Sequence, residues 1–134
     1  MSKAILLALL AVSAAAAAAT PREMIDTYAA EAVRQSPGFQ PSARRGAEFY
    51  AKRFAVSDKM PACAACHTDS PAQPGRHAVT GKAIKPLAPR AEAARFTDPA
   101  KTEKWFRRNC TEVLGRECSA AEKADFIQFL AEGR

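Results

Sequence analysis

Apolar residues recur at helical spacing in four parts of the chain, and no segment alternates polar and apolar positions long enough to read as a strand. Ile25, Tyr28, Ala29 and Ala32 mark a first helix. Thr20-Pro21 opens it with proline in the first turn, and Ser36-Pro37-Gly38 breaks it after Gln35. A second helix is expected from about Ser42 to Ala55. Gly46 and Tyr50, four apart, share one of its faces, with Phe49 and Phe54 on either side; a glycine there lets another backbone come close. Asp98-Pro99 pairs an N-cap with proline at N1 and starts a third helix, expected to run to about Arg108, with Trp105 and Asn109 spaced along one face. Ser119-Ala120-Ala121-Glu122 is a capping box. Behind it Ala124, Ile127, Leu130 and Ala131 form an apolar stripe broadened by Phe126 and Phe129. The pattern predicts an all-α chain without internal repeats.

Two stretches do not fit this pattern. Met1-Ser2-Lys3 followed by an apolar run from Ala4 to Ala19, ending in Ala17-Ala18-Ala19, has the layout of a secretory signal peptide with an A-x-A cleavage site before Thr20. The alternative, an uncleaved anchor, wants a longer span than this run offers. Residues 1–19 are therefore expected to be removed, leaving 20–134 as one domain, small for a hydrophobic core of its own. The second stretch, from Thr68 to Asp98, holds Pro71, Pro74, Pro86, Pro89, Gly75 and Gly81, which make a long helix improbable there. A connection of that length without structure of its own normally serves a purpose, and wrapping a prosthetic group is one.

The chemistry that such a group would need lies just ahead of this connection. Cys63-Ala64-Ala65-Cys66-His67 is a C-x-x-C-H motif, the spacing of covalent haem c attachment: each thiol adds across one vinyl group, and the histidine beside the second supplies an axial bond to iron. The same C-x-x-C also begins zinc sites and thioredoxin-like redox sites. A zinc ribbon would want a second close pair, which Cys110 and Cys118 do not make, and a thioredoxin-like site would want a βαβ pattern around it. Export agrees with haem attachment outside the cytoplasm, and an oxidising compartment permits disulfides. With Cys63 and Cys66 taken by haem, Cys110 and Cys118 are left to pair with each other.

The other side of the iron is less plain. Small electron-transfer cytochromes commonly add a methionine as second axial ligand, yet Met1, Met24 and Met60 all precede the motif and none follows His67. His77 is the one other histidine, a solvent-facing loop residue on the ordinary reading and a second axial ligand on the other. Lysines would have to be deprotonated to serve. Asn109 is a C-cap residue on the ordinary reading and a weak sixth ligand on the other; a bond between Cys110 and Cys118 would close a short loop beside it and limit its movement.

Charge changes the picture little. Twenty Lys and Arg against fourteen Asp and Glu give a formal +6, or +5 without Lys3. A nucleic-acid surface would call for a basic stripe interleaved with aromatics, so nucleic acid is not an expected partner. Simple solubility explains the excess, as does steering toward an acidic redox partner. Lys82, Lys85 and Arg90 are solvated charges or partners for haem propionates.

The residues from Thr80 to Pro89, then Arg95-Phe96-Thr97-Asp98, Glu103 to Cys110, Gly115-Arg116-Glu117-Cys118 and Glu122-Lys123-Ala124-Asp125 resemble the sphaeroides haem protein family, c-type cytochromes of the DUF1924 type. With Gly46, Tyr50 and the haem motif the resemblance spans most of the mature domain. It implies a class I cytochrome c fold in which the first and last core helices cross near a single haem c. It implies His67 and Asn109 as axial ligands, Trp105 at the cofactor, a Cys110–Cys118 disulfide, and loss of the asparagine on reduction. That last expectation suits an amide oxygen, a hard, weak donor that ferrous iron holds poorly. The resemblance further implies a periplasmic protein that takes electrons from another cytochrome, a dihaem cytochrome c or a membrane cytochrome b, and binds oxygen or nitric oxide when reduced. The competing readings are a plain electron shuttle with a strong sixth ligand, a haem enzyme, for which no distal acid or base beyond His77 is evident, and a zinc-binding module.

Overall fold

The computed structural model describes residues 18–133; the expected signal peptide lies almost wholly outside them. Four helices carry the fold. Helix α1, Pro21–Gln35, opens with a complete capping box between Thr20 and Glu23, so two of the amide donors that a helix start leaves without partners are satisfied locally. Helix α2, Ala43–Ala51, is capped by Ser42, whose side chain accepts from the Arg45 amide. It stops earlier than the sequence suggests because Lys52 is already extended and the Phe54 amide turns to bond the Pro61 carbonyl at 2.7 Å, which leads the chain into the motif. A single helical turn, α3, Ala64–His67, follows.

The long proline-bearing connection is ordered by its own hydrogen bonds. Two short strands, β1 (Gly75–Arg76) and β2 (Ala83–Ile84), pair antiparallel. The Leu87 and Ala88 amides both bond the Pro71 carbonyl, at 2.8 and 2.9 Å, and the Arg95 guanidinium bonds the carbonyls of Pro86 and Lys85, each at 2.7 Å. Helix α4, Pro99–Leu114, starts at the expected Asp98 cap but runs six residues past Arg108, to a left-handed Gly115. Asn109 is therefore in the body of α4, which removes the C-cap explanation for it. Helix α5, Ala120–Glu132, begins with the Ser119/Glu122 capping box.

The core forms around α5. Ala124, Ile127 and Leu130 are fully buried along it, whereas Ala131, expected in the same stripe, is exposed. Helices α1 and α2 lie directly against α5. At Gly46 the α2 backbone meets that of α5 so closely that a β-carbon there would overlap the Asp125 carbonyl. Asp125 also accepts from the Ser42 amide at 2.7 Å and takes the Arg45 guanidinium through both its oxygens, at 2.7 and 2.9 Å. A buried carboxylate thus closes the start of α2. Helix α4 joins through side chains: Phe106 meets Phe126 edge-on at 5.6 Å, and Lys123 bonds Glu103 at 2.7 and 2.9 Å while the Tyr28 hydroxyl donates to Glu103 at 2.8 Å.

Candidate haem site

Cys63, Cys66 and His67 occupy one tight turn. The amides of Cys66 and His67 both bond the Cys63 carbonyl, at 3.3 and 3.1 Å, so both thiols and the imidazole issue from the same short piece of backbone. The chain leaves it sharply, with Thr68 at φ 63°. Tyr50 of α2 anchors that exit through a 2.6 Å hydrogen bond from its hydroxyl to the Thr68 carbonyl. Gly75 lets β1 lie on the turn, where a β-carbon would overlap the Cys66 carbonyl and stand 3.1 Å from the His67 Cα.

The three side chains fit a covalently attached haem. Neither cysteine is in a disulfide, and both are partly buried. Burial pushes the Cys63 thiol up to about 11, with the neighbouring Cys66 adding to it and a backbone hydrogen bond opposing it. Burial, and then the Arg95 charge, lowers His67 to about 4, so at neutral pH its imidazole is uncharged, the form that binds a metal. Cys63 and Ala64, like Phe54, Met60 and Phe96, are partly buried against the core that contains Leu87.

The remaining candidates divide. On α4, Trp105 and Asn109 stand one helical turn apart, both exposed, along the border of the stripe in which Thr102, Phe106, Cys110 and Val113 are buried. Arg108 bonds Glu112 at 3.1 Å and Thr111 bonds the Arg107 carbonyl at 2.7 Å, but Asn109 forms no side-chain hydrogen bond among the described residues. Nor does any hydrogen bond among them join it to α3. The next residue, Cys110, is bonded to Cys118 with their Cα atoms 5.6 Å apart. His77 is not a free loop side chain. Its Nδ1 accepts from the amides of Val79 and Thr80, at 3.2 and 3.1 Å, and so shapes the β1–β2 turn. Lys85 is held by Glu92 at 2.9 Å. Among the described residues no group of three or more His, Cys, Asp or Glu side chains gathers to hold a metal ion, which leaves the zinc-module reading without a site.

Sequence reasoning missed Arg95 as a neighbour of His67 and Gly75 as the contact behind it. A glycine between proline-rich residues looks like a loop residue. Only the fold shows which backbone lies against it.

Comparison with known proteins places this arrangement. The model of the family described as a domain of unknown function, DUF1924, matches residues 37–130. The cytochrome c-type protein SHP of Cereibacter sphaeroides is 41% identical over 128 residues, 95% of this chain and 95% of that protein. Cytochrome c'' of Methylophilus methylotrophus is 48% identical over 91 residues, 67% of this chain and 63% of that protein, so the match spans less than two thirds of that relative's length. The structure of oxidised SHP, an oxygen-binding cytochrome c, agrees with a TM-score of 0.78 at 38% identity over 86% of this chain and 98% of that one. The solution structure of cytochrome c'', presented with insights into the structural basis of haem-ligand detachment, agrees at 0.73 and 41% over 82% and 90%. The protein is thus an all-α c-type cytochrome that carries haem c. It belongs to the DUF1924 family, the family of SHP and cytochrome c''.

Proposed function

We propose that this is an exported monohaem cytochrome in which Cys63 and Cys66 bond the porphyrin, His67 is the permanent axial ligand, and the Asn109 carboxamide oxygen is a sixth ligand that leaves on reduction. When bound, the haem supplies a one-electron couple and, with its sixth position free, a site for a small diatomic ligand such as oxygen or nitric oxide. The observation that carries the reading is the position of Asn109. A poor helix former stands in the body of α4, exposed and without a hydrogen-bond partner among the described residues, one turn from Trp105 and adjacent to a disulfide. The sequence places no methionine after His67, and the Nδ1 of His77 is engaged in its own turn.

Each residue then has a distinct task. His67, neutral at ordinary pH, would supply the axial nitrogen. The Cys110–Cys118 bond restricts the backbone beside Asn109, which would keep a weak oxygen donor in register. Trp105 would pack beside the cofactor. Electrons come from another cytochrome, a dihaem cytochrome c or a membrane cytochrome b. Export follows from the segment ending at Ala19 and agrees with the disulfide; among the described residues no helix is long and apolar enough to cross a membrane.

Absorption spectra of the haem-loaded protein test this. The reading expects the ferrous spectrum to change on adding carbon monoxide or nitric oxide. A low-spin ferrous spectrum unchanged by either would instead establish a plain electron-transfer cytochrome with a strong sixth ligand.

A further inference from the structure

From Ser70 to Ala91 the chain contains no Asp or Glu, while Arg76, Lys82, Lys85 and Arg90 are all basic. The fold brings the middle of this stretch against the Cys66 turn as the β1–β2 hairpin. The Ala78 amide lies 3.3 Å from the Cys66 Sγ, and Gly75 meets the Cys66 carbonyl. At the hairpin tip Val79 is 53% exposed, and Arg76 and Lys82 are exposed at its base.

This tip is held in one shape. His77 Nδ1 accepts from Val79 and Thr80, the His77 amide bonds the Lys82 carbonyl at 2.8 Å, and the Arg76 guanidinium donates to the Gly81 carbonyl at 2.6 Å. An apolar residue fixed between cations, next in the chain to the Ala78 amide that meets a sulfur that would bond the porphyrin, combines a dry contact point with charge steering and little ordering cost. Two of the four basic residues of α4 have acidic neighbours. Arg108 is paired with Glu112 at 3.1 Å, and Arg107 lies 3.8 Å from Glu117.

We propose that the β1–β2 hairpin, with Val79 at its centre and Arg76 and Lys82 beside it, is the surface on which an acidic electron-transfer protein docks to exchange an electron with the haem. The proposal rests on reading Cys63–His67 as the haem site. One electron passes from the reduced partner to the ferric haem, and no bond is made or broken between the proteins.

The test follows reduction of haem-loaded ferric protein by reduced flavodoxin, an acidic electron-transfer protein, in a stopped-flow instrument at low and high salt. The wild-type rate should fall as salt rises. Arg76→Gln with Lys82→Gln should slow the low-salt reaction about tenfold and flatten its salt dependence. Val79→Glu, which leaves the Arg76 bond in place, should slow it similarly. Lys101→Gln with Lys104→Gln, on α4, should leave it within about twofold. The proposal is overturned if either hairpin variant reacts at the wild-type rate, or if the α4 variant slows as much. Uncharged duroquinol serves as the second reductant: hairpin variants should react with it normally, and equal slowing there would also overturn the proposal. Failure of the haem reading itself would look different, as a preparation with no haem absorption at all.

Discussion

The Tyr50 hydroxyl donates to the Thr68 carbonyl at 2.6 Å, which ties helix α2 to the residue that follows His67. The contact lets a core helix dictate where the backbone beside His67 sits. Burial, with Cys63 and Asp69 nearby, raises the phenol well above its ordinary pKa, so the donor keeps its proton through the alkaline range. Tyr50→Phe keeps the ring and deletes the donor. Because Thr68 is exposed, water can replace part of the bond, and the loss should be about 1 kcal/mol in chemical unfolding of the haem-loaded protein. A loss several times larger would mean that the ring has shifted as well.

Gly46 has no room for a side chain. A β-carbon there would overlap the Asp125 carbonyl and stand 2.7 Å from the Phe129 Cβ, and neither atom can rotate away. Alanine gains about 1 kcal/mol of helix propensity over glycine. Overpacking against backbone should cost more, roughly 3 kcal/mol. Gly46→Ala is therefore expected to lower the thermal midpoint by several degrees. A raised midpoint would show that propensity wins and that the α2–α5 crossing is loose.

Removing the Cys110–Cys118 bond with a double serine variant should cost about 2–3 kcal/mol by the loop-entropy estimate for so short a loop. Its functional effect should be distinct from that cost. Asn109 would be less firmly placed and a weaker competitor, so nitric oxide association with the ferric form should be faster at temperatures where the fold is intact. An unchanged association rate would confine the disulfide to a stabilising role.

Glu103 gives the fold an acid sensitivity of predictable sign. Burial raises its pKa, but hydrogen bonds from Lys123 and Tyr28 outweigh this, and the carboxyl ends below its ordinary value of 4.5. A folded pKa below the unfolded one means stability that is present above about pH 4.5 and is lost as pH falls through the folded value. Glu103→Gln should flatten the decline of stability over that acidic range and lower stability at pH 7. Equal pH profiles for the two proteins would show that the Lys123–Glu103–Tyr28 link contributes nothing measurable.

Caps made much of this fold legible in the sequence. The starts of α1, α4 and α5 fall where Thr20, Asp98 and Ser119 announce them, because a capping side chain acts within three residues. Helix ends were less legible. Asn109 looked like a C-cap, but the left-handed Gly115 is the true one. Two-residue strands are too short for alternation to register. The C-x-x-C-H turn was readable because its chemistry is local. The Glu103–Lys123 and Glu103–Tyr28 bonds were not, since they link residues 20 and 75 positions apart that only the packing brings together.

The central claim is that Asn109 holds the sixth position weakly, and one measurement reaches it directly: the ferric absorption and paramagnetic resonance spectra of haem-loaded wild type and Asn109→Ala, followed by nitric oxide association with the ferric forms. The account predicts a changed ferric spectrum in the variant, toward a five-coordinate or water-ligated form, and association at least about tenfold faster, since a competing ligand worth some 1.4 kcal/mol or more has been removed. Identical spectra and association rates in the two proteins would contradict it, and would make Asn109 an ordinary surface residue of α4.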